Sequence, residues 1–129
     1  MIDFLRTHQG IERSRIIVLV DQLPDTDFAP TKTNILAAFG ATALKLQVRD
    51  TVWLYFAGHG SQQPQPPNAS TPEPDGLDEI FLPQDVGRWD GEIAAVQNAI
   101  VDDELADAIS RIRALGANVI AVFDTCHAA

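Results

Sequence analysis

Two side chains in this sequence have the chemistry of a nucleophilic pair: His59, set between Gly58 and Gly60, and Cys126, in the run Asp124-Thr125-Cys126-His127. A thiolate attacks an electrophilic carbon, and an imidazole within hydrogen-bond reach holds and returns the proton. Cys126 is the only cysteine, so an internal disulfide or a multi-cysteine zinc site is excluded, and the thiol is either an inert buried group or a reactive one. Glycine on both sides of His59 allows a substrate backbone to come close. A backbone N–H there, together with that of Cys126, can bind the oxyanion of a tetrahedral intermediate. The plainer role for His59 is an exposed side chain in a glycine-rich turn. Asp124, beside the thiol, can pair with a guanidinium or an ammonium or hydrogen-bond its own turn, and both uses stay open.

The elements that must position these groups follow from hydrophobic periodicity. Ile16-Ile17-Val18-Leu19-Val20 is apolar without alternation and predicts a strand buried on both faces over Arg15 to Val20. Thr51 to Phe56 predicts a second such strand, running straight into Ala57-Gly58-His59-Gly60, and Asn118 to Phe123 a third, delivering Asp124-Thr125-Cys126 at its carboxyl end. Open parallel sheets build sites at the carboxyl ends of strands. If the second and third strands lie side by side, His59 and Cys126 emerge at one sheet edge, within several ångströms of each other.

Thr31 caps a predicted helix running to about Leu46, which buries Ile35, Leu36 and Phe39. Asp102 or Asp103 opens a second helix whose apolar stripe is Val101, Leu105, Ile109 and Ile112, up to Gly116. Met1 to Thr7 reads as a short helix ending before Gly10. Ser61 to Gly76 carries Pro64, Pro66, Pro67, Pro72 and Pro74, and no regular structure is predicted there; Ile80 to Leu82 reads as a short strand. Alternating helices and strands predict an α/β domain with a mostly parallel sheet.

The chain has 129 residues, 46% hydrophobic and 21% charged, which suits one modest globular domain. Its formal net charge of −9 leaves few clustered cations for phosphates, so no nucleic-acid partner is expected. No apolar run reaches the roughly 18 residues of a membrane helix, and Met1 to Gly10 lacks the layout of a signal peptide.

At four places the residues resemble one family. Tyr55-Phe56-Ala57-Gly58-His59-Gly60-Ser61-Gln62 resembles the histidine motif of metacaspases and bacterial caspase homologues, and Asp124-Thr125-Cys126-His127 resembles their Asp-x-Cys-His motif. Between them, Asp75-Gly76-Leu77-Asp78-Glu79 and Ile100-Val101-Asp102-Asp103-Glu104-Leu105 look like two further blocks in the same order, so the resemblance covers Ile11 to the end. It implies a caspase-like three-layer α/β/α fold, incomplete at both ends. A central first strand would precede Met1–Thr7 and a carboxyl-terminal part would follow Ala129, making residues 1–129 a partial catalytic domain. Isolated, that domain is expected to be inactive and poorly stable.

The resemblance further implies a cysteine endopeptidase cleaving after Arg or Lys through a thioacyl intermediate. Cys126 would be the nucleophile and His59 would protonate the leaving amine. Gly60 and Cys126 would supply the oxyanion-hole N–H groups, and Asp124 would read the basic side chain of protein or peptide substrates. No cofactor is required for that chemistry. Calcium is implied as an activator at Asp78, Asp102 and Asp103, whose carboxylates suit a hard cation, although Asp102 and Asp103 equally favour a helix N-terminus.

Two places depart from the family pattern. Ala57 stands where many metacaspases carry a serine lining the specificity pocket, and Ala128-Ala129 stand where Ser-Gly is usual. The second departure motivates an alternative, a catalytically degenerate caspase-like module acting in protein–protein interaction. A third reading, an unrelated doubly wound ligand-binding domain, finds no glycine-rich phosphate loop to support it.

Overall fold

The computed structural model describes residues 2–24, 26–67, 69 and 72–126. His127 of the Asp124-Thr125-Cys126-His127 run and the following Ala128 and Ala129 lie outside them. Among the described residues three α-helices, α1 (Ile2–Thr7), α2 (Lys32–Ala43) and α3 (Asp102–Ala114), are interspersed with seven strands. These are β1 (Thr51–Ala57), β2 (His59–Pro64), β3 (Leu77–Leu82), β4 (Trp89–Asp90), β5 (Ala95–Val96), β6 (Ile100–Val101) and β7 (Asn118–Asp124).

The two helices with clear sequence signals form for the expected reasons. Thr31 caps α2, its hydroxyl accepting the Asn34 N–H at 3.2 Å, and Ile35 and Phe39 are buried while Leu36 packs at the core margin. The helix ends at Ala43, short of Leu46. In α3 the side chain of Glu104 reaches back to accept the Val101 N–H at 3.1 Å, the acidic half of a capping box. Leu105 and Ile112 are buried on its inner stripe, and the chain leaves through Gly116 at φ 84°, a conformation that favours glycine. Lys32 ties the two helix starts together, its ammonium donating to Glu104 at 2.7 Å and to the Ala99 carbonyl at 2.8 Å.

β1 and β7 pair in parallel with Thr51 opposite Asn118 and Ala57 opposite Asp124. One face of this pair, through Val52, Leu54, Phe56 and Val119, meets the core that α2 and α3 supply with Ile35, Phe39, Leu105 and Ile112. The other face carries Trp53, met edge-on by Phe4 of α1 with ring centres 6.4 Å apart. Helices on both faces of the strand pair give the expected three layers, and among the described strands the β1–β7 ladder is the parallel one. β2, β3 and β6 form an antiparallel sheet, and β4 and β5 pair antiparallel as a two-residue ladder.

Three local expectations are corrected. Ile16–Val20 is not a strand: a 3-10 turn covers Arg13–Arg15, and only an isolated bridge joins Leu19 to Phe28. Its polar groups bond the following loop instead. The Val18 N–H donates to Asp27 at 2.7 Å, the Val20 N–H to the Thr26 hydroxyl at 3.1 Å, and the Val18 carbonyl accepts the Asp27 N–H at 2.7 Å. Second, part of the proline-rich stretch is regular, because β2 runs from His59 to Pro64 against β3, which starts at Leu77. Pro64 ends its strand, where a missing N–H costs least. Third, β7 is not buried on both faces, since Ile120, Val122 and Phe123 are each 39% exposed.

Candidate active site

The site lies where the two main sheets meet. β1 stops at Ala57, Gly58 turns the chain, and His59 is the first residue of β2. The Gly58 N–H donates to the Asp124 carbonyl at 3.3 Å, which continues the β1–β7 ladder up to the turn that carries Cys126. Gly60 then packs directly on that turn. A Cβ at Gly60 would overlap the Cys126 carbonyl oxygen, with the Cys126 carbonyl carbon at 3.1 Å and the Ile80 carbonyl oxygen at 3.5 Å. The backbones bearing His59 and Cys126 are therefore neighbours, and both side chains are exposed to an approaching ligand.

This contact gives Gly60 a steric reason to be glycine that sequence spacing does not reveal. Gly58 has a milder one, because a Cβ there would come within 3.3 Å of the Phe81 ring. Aromatic packing underlies both sheets at this point. Phe56 stacks on Phe123 with centres 5.0 Å apart and meets Phe81 edge-on at 5.4 Å.

Asp124 lies at the end of β7, and its Oδ2 accepts a hydrogen bond from the Tyr55 hydroxyl at 3.2 Å. That bond, and then the carboxylate's charge, raise the phenol's pKa above its ordinary value. Tyr55 had no signal in the sequence beyond its place in the histidine motif; its partner became visible only with the β1–β7 register.

Asp78, Asp102 and Asp103 belong to a second acidic region. Asp78 is buried in β3 and accepts from the Gln65 side chain at 2.8 Å. The β3–β6 register, Ile80 opposite Val101, brings the start of α3 beside Asp78 and Glu79. Burial pushes the Asp102 pKa up, the neighbouring charges of Asp103, Asp78 and Glu79 add to this, and the Asp103 N–H opposes it. Glu73 is raised by burial and then by Asp102, Glu79, Asp75 and Asp103. These donors have the chemistry a hard cation takes. Among the described residues, however, no three His, Cys, Asp or Glu side chains converge on a common metal position.

A groove of about 530 Å³ lies elsewhere, between α3 and β7, lined by Ile109, Arg113, Gly116, Ala117, Asn118, Val119 and Ala121. No described helix is long and apolar enough to cross a membrane.

A parallel strand pair layered by helices, with a histidine and a cysteine at its carboxyl edge, defines a caspase-like α/β domain. The chain belongs to the metacaspase family: the family described as "Metacaspase, peptidase C14 domain" matches residues 1–129. It is 32% identical over 127 residues to metacaspase-1B of Aspergillus clavatus, covering 98% of this chain and 28% of that protein. It is 28% identical over 127 residues to metacaspase-1 of Saccharomyces cerevisiae, covering 98% of this chain and 27% of the relative. The chain thus spans little more than a quarter of the length of these relatives. A crystal structure of a protein from Geobacter sulfurreducens shares the fold with a TM-score of 0.55 and 26% identity, over 81% of this chain and 35% of that one.

Proposed function

We propose that the protein is a cysteine endopeptidase in which Cys126 and His59 form the catalytic dyad and peptide bonds are cut after Arg or Lys. The observation that carries this reading is the seating of the Cys126 turn on Gly60, which holds the start of β2 against the thiol-bearing backbone. The Cys126 thiolate attacks the scissile carbonyl carbon, and the carbonyl π electrons move to oxygen. The N–H groups of Gly60 and Cys126 stabilise that oxyanion. Its collapse expels the amine as the His59 imidazolium delivers a proton to the departing nitrogen. A thioester remains on Cys126. Water then attacks it with His59 as base, releasing the acid and restoring the thiol.

Substrate choice rests on Asp124, an exposed carboxylate two residues before the nucleophile, which pairs with a guanidinium or an ammonium. The partners are then proteins or peptides displaying basic residues. The chemistry as written needs no cofactor. Calcium has a place as an activator if binding draws Asp78, Asp102 and Asp103 together, since a divalent cation would offset their mutual repulsion.

The test is to assay the whole protein on fluorogenic peptides ending in Arg, Lys or Asp, for wild type, Cys126→Ala and His59→Ala, with and without calcium. Cleavage after Arg or Lys that falls at least about 10³-fold in either variant is the expected result. A well-folded protein that cuts none of the peptides overturns the assignment and favours a non-catalytic interaction module.

A further inference from the structure

We propose that Tyr55 is a specificity-determining residue that acts through Asp124, its phenol completing an acceptor pair that takes a guanidinium in preference to an ammonium. This rests on the reading that Asp124 meets the substrate's basic side chain. In the β1–β7 register Tyr55 lies opposite Val122 and Ala57 opposite Asp124. Tyr55 and Asp124 are therefore diagonal neighbours on one face, the spacing at which long side chains meet across a sheet. The Tyr55 hydroxyl donates to Asp124 Oδ2 at 3.2 Å. Ala57, directly opposite Asp124, offers only a methyl group, so the phenol is the hydroxyl that β1 brings to this carboxylate.

Two consequences follow for a bound cation. The phenol O–H satisfies one lone pair of Oδ2 and restrains the exposed carboxylate's orientation, and a ligand can then be met through Oδ1. The lone pairs of the phenol oxygen then add a neutral acceptor beside the carboxylate. A guanidinium has a planar fork of five N–H donors and can address both acceptors at once, whereas an ammonium is a compact charge that one carboxylate already serves. Tyr55 is 44% exposed, so the pair is open to a side chain arriving from solvent. A phenol is protonated at neutral pH and so can donate, and the hydrogen bond to Asp124 raises its pKa further.

The experiment compares Tyr55→Phe and Asp124→Asn with wild type in the whole protein, on matched peptides ending in Arg and in Lys. For Tyr55→Phe the expected result is a rise in KM that lowers kcat/KM for Arg about 5- to 20-fold. The kcat for Arg should stay within about twofold and the Lys peptide should change by no more than about threefold. An unchanged Arg-to-Lys ratio in Tyr55→Phe, with Asp124→Asn losing both activities, overturns the role of Tyr55 and leaves Asp124 in place. Undiminished cleavage in Asp124→Asn overturns the underlying reading instead. A second measurement is independent of turnover. The phenolate absorbance of wild type minus Tyr55→Phe isolates this side chain, the one tyrosine of the 129-residue sequence. Its titration midpoint should lie above 10 and fall towards 10 in Asp124→Asn. A midpoint indifferent to Asp124→Asn overturns the proposal.

Discussion

Gly60→Ala is the smallest perturbation that tests the geometry of the site. The added Cβ meets backbone rather than a side chain that can rotate away: the Cys126 carbonyl oxygen overlaps it, the carbonyl carbon is 3.1 Å from it, and the Ile80 carbonyl oxygen closes the other side at 3.5 Å. Relief requires the turn holding Cys126 to move by about 1 Å, a displacement that costs on the order of 10²-fold when it separates catalytic groups. Overpacking of this kind destabilises by about 1–3 kcal/mol. The opposing effect is small and of known sign. Gly60 is not among the glycines with positive φ, so alanine fits its backbone angles and would stabilise by about 0.4–1 kcal/mol through the unfolded state if space allowed. The two effects therefore predict opposite shifts of the melting temperature. The expected outcome in the whole protein is a lowered midpoint and a kcat/KM reduced at least about 100-fold. Gly58→Ala should be milder, because the Phe81 ring at 3.3 Å can tilt. A Gly60→Ala protein that melts at or above wild type and cleaves within threefold of it would refute the contact between β2 and the nucleophile turn.

Two further predictions concern charge. Asp27 accepts from Arg13 at 3.0 Å and from the Val18 N–H at 2.7 Å, and the Arg13 hydrogen bond, then that N–H, lower its pKa. A depressed carboxylate contributes stability that is present above its unfolded value, about 3.9, and is lost as pH falls through the folded value. Melting temperature should therefore decline below about pH 4 in wild type, with a visibly smaller decline in Asp27→Asn. Asp102 has the opposite sign. Its raised pKa means the charged form is disfavoured by the fold, so Asp102→Asn should melt higher than wild type at pH 7 without calcium, and any calcium-induced rise should shrink. A variant that melts lower while keeping the full calcium response would contradict both halves of that expectation.

Much of this was legible in the sequence, and the failures share a cause. α2 and α3 could be read because each carries its own cap and apolar stripe, signals local to the segment. β1 and β7 could be read because their hydrophobic runs are unbroken and lead into the segments that bear His59 and Cys126. Ile16–Val20 has an equally apolar run, but strand formation needs a partner edge as well as propensity. Here Asp27 and Thr26 satisfy its backbone instead. The β2–β3 hairpin was hidden by the opposite error, since prolines between the strands masked the polar strand His59–Pro64. Its pairing is held by backbone and by Gln62 donating to Glu79 at 3.0 Å rather than by a hydrophobic pattern. In the site, His59 and Cys126 were visible as residue types. The Gly60 contact and the Tyr55–Asp124 bond were not, because both depend on register between segments far apart in the chain.

The aromatic packing under the site has a consequence for how the sequence can change over time. Phe56 precedes His59 by one turn of chain, Phe123 likewise precedes Cys126, and their rings lie nearly parallel at 10°. Phe39 also stacks on Phe56, with ring centres 6.4 Å apart. The histidine and the cysteine thus hang from two leaves of one stack, and the gap between them inherits its thickness. Trimming one ring alone shortens one arm of that mount. Drift at positions 56 and 123 should therefore be correlated among descendants of this domain, a smaller side chain at one being matched by a bulkier one at the other, although neither ring takes part in the chemistry.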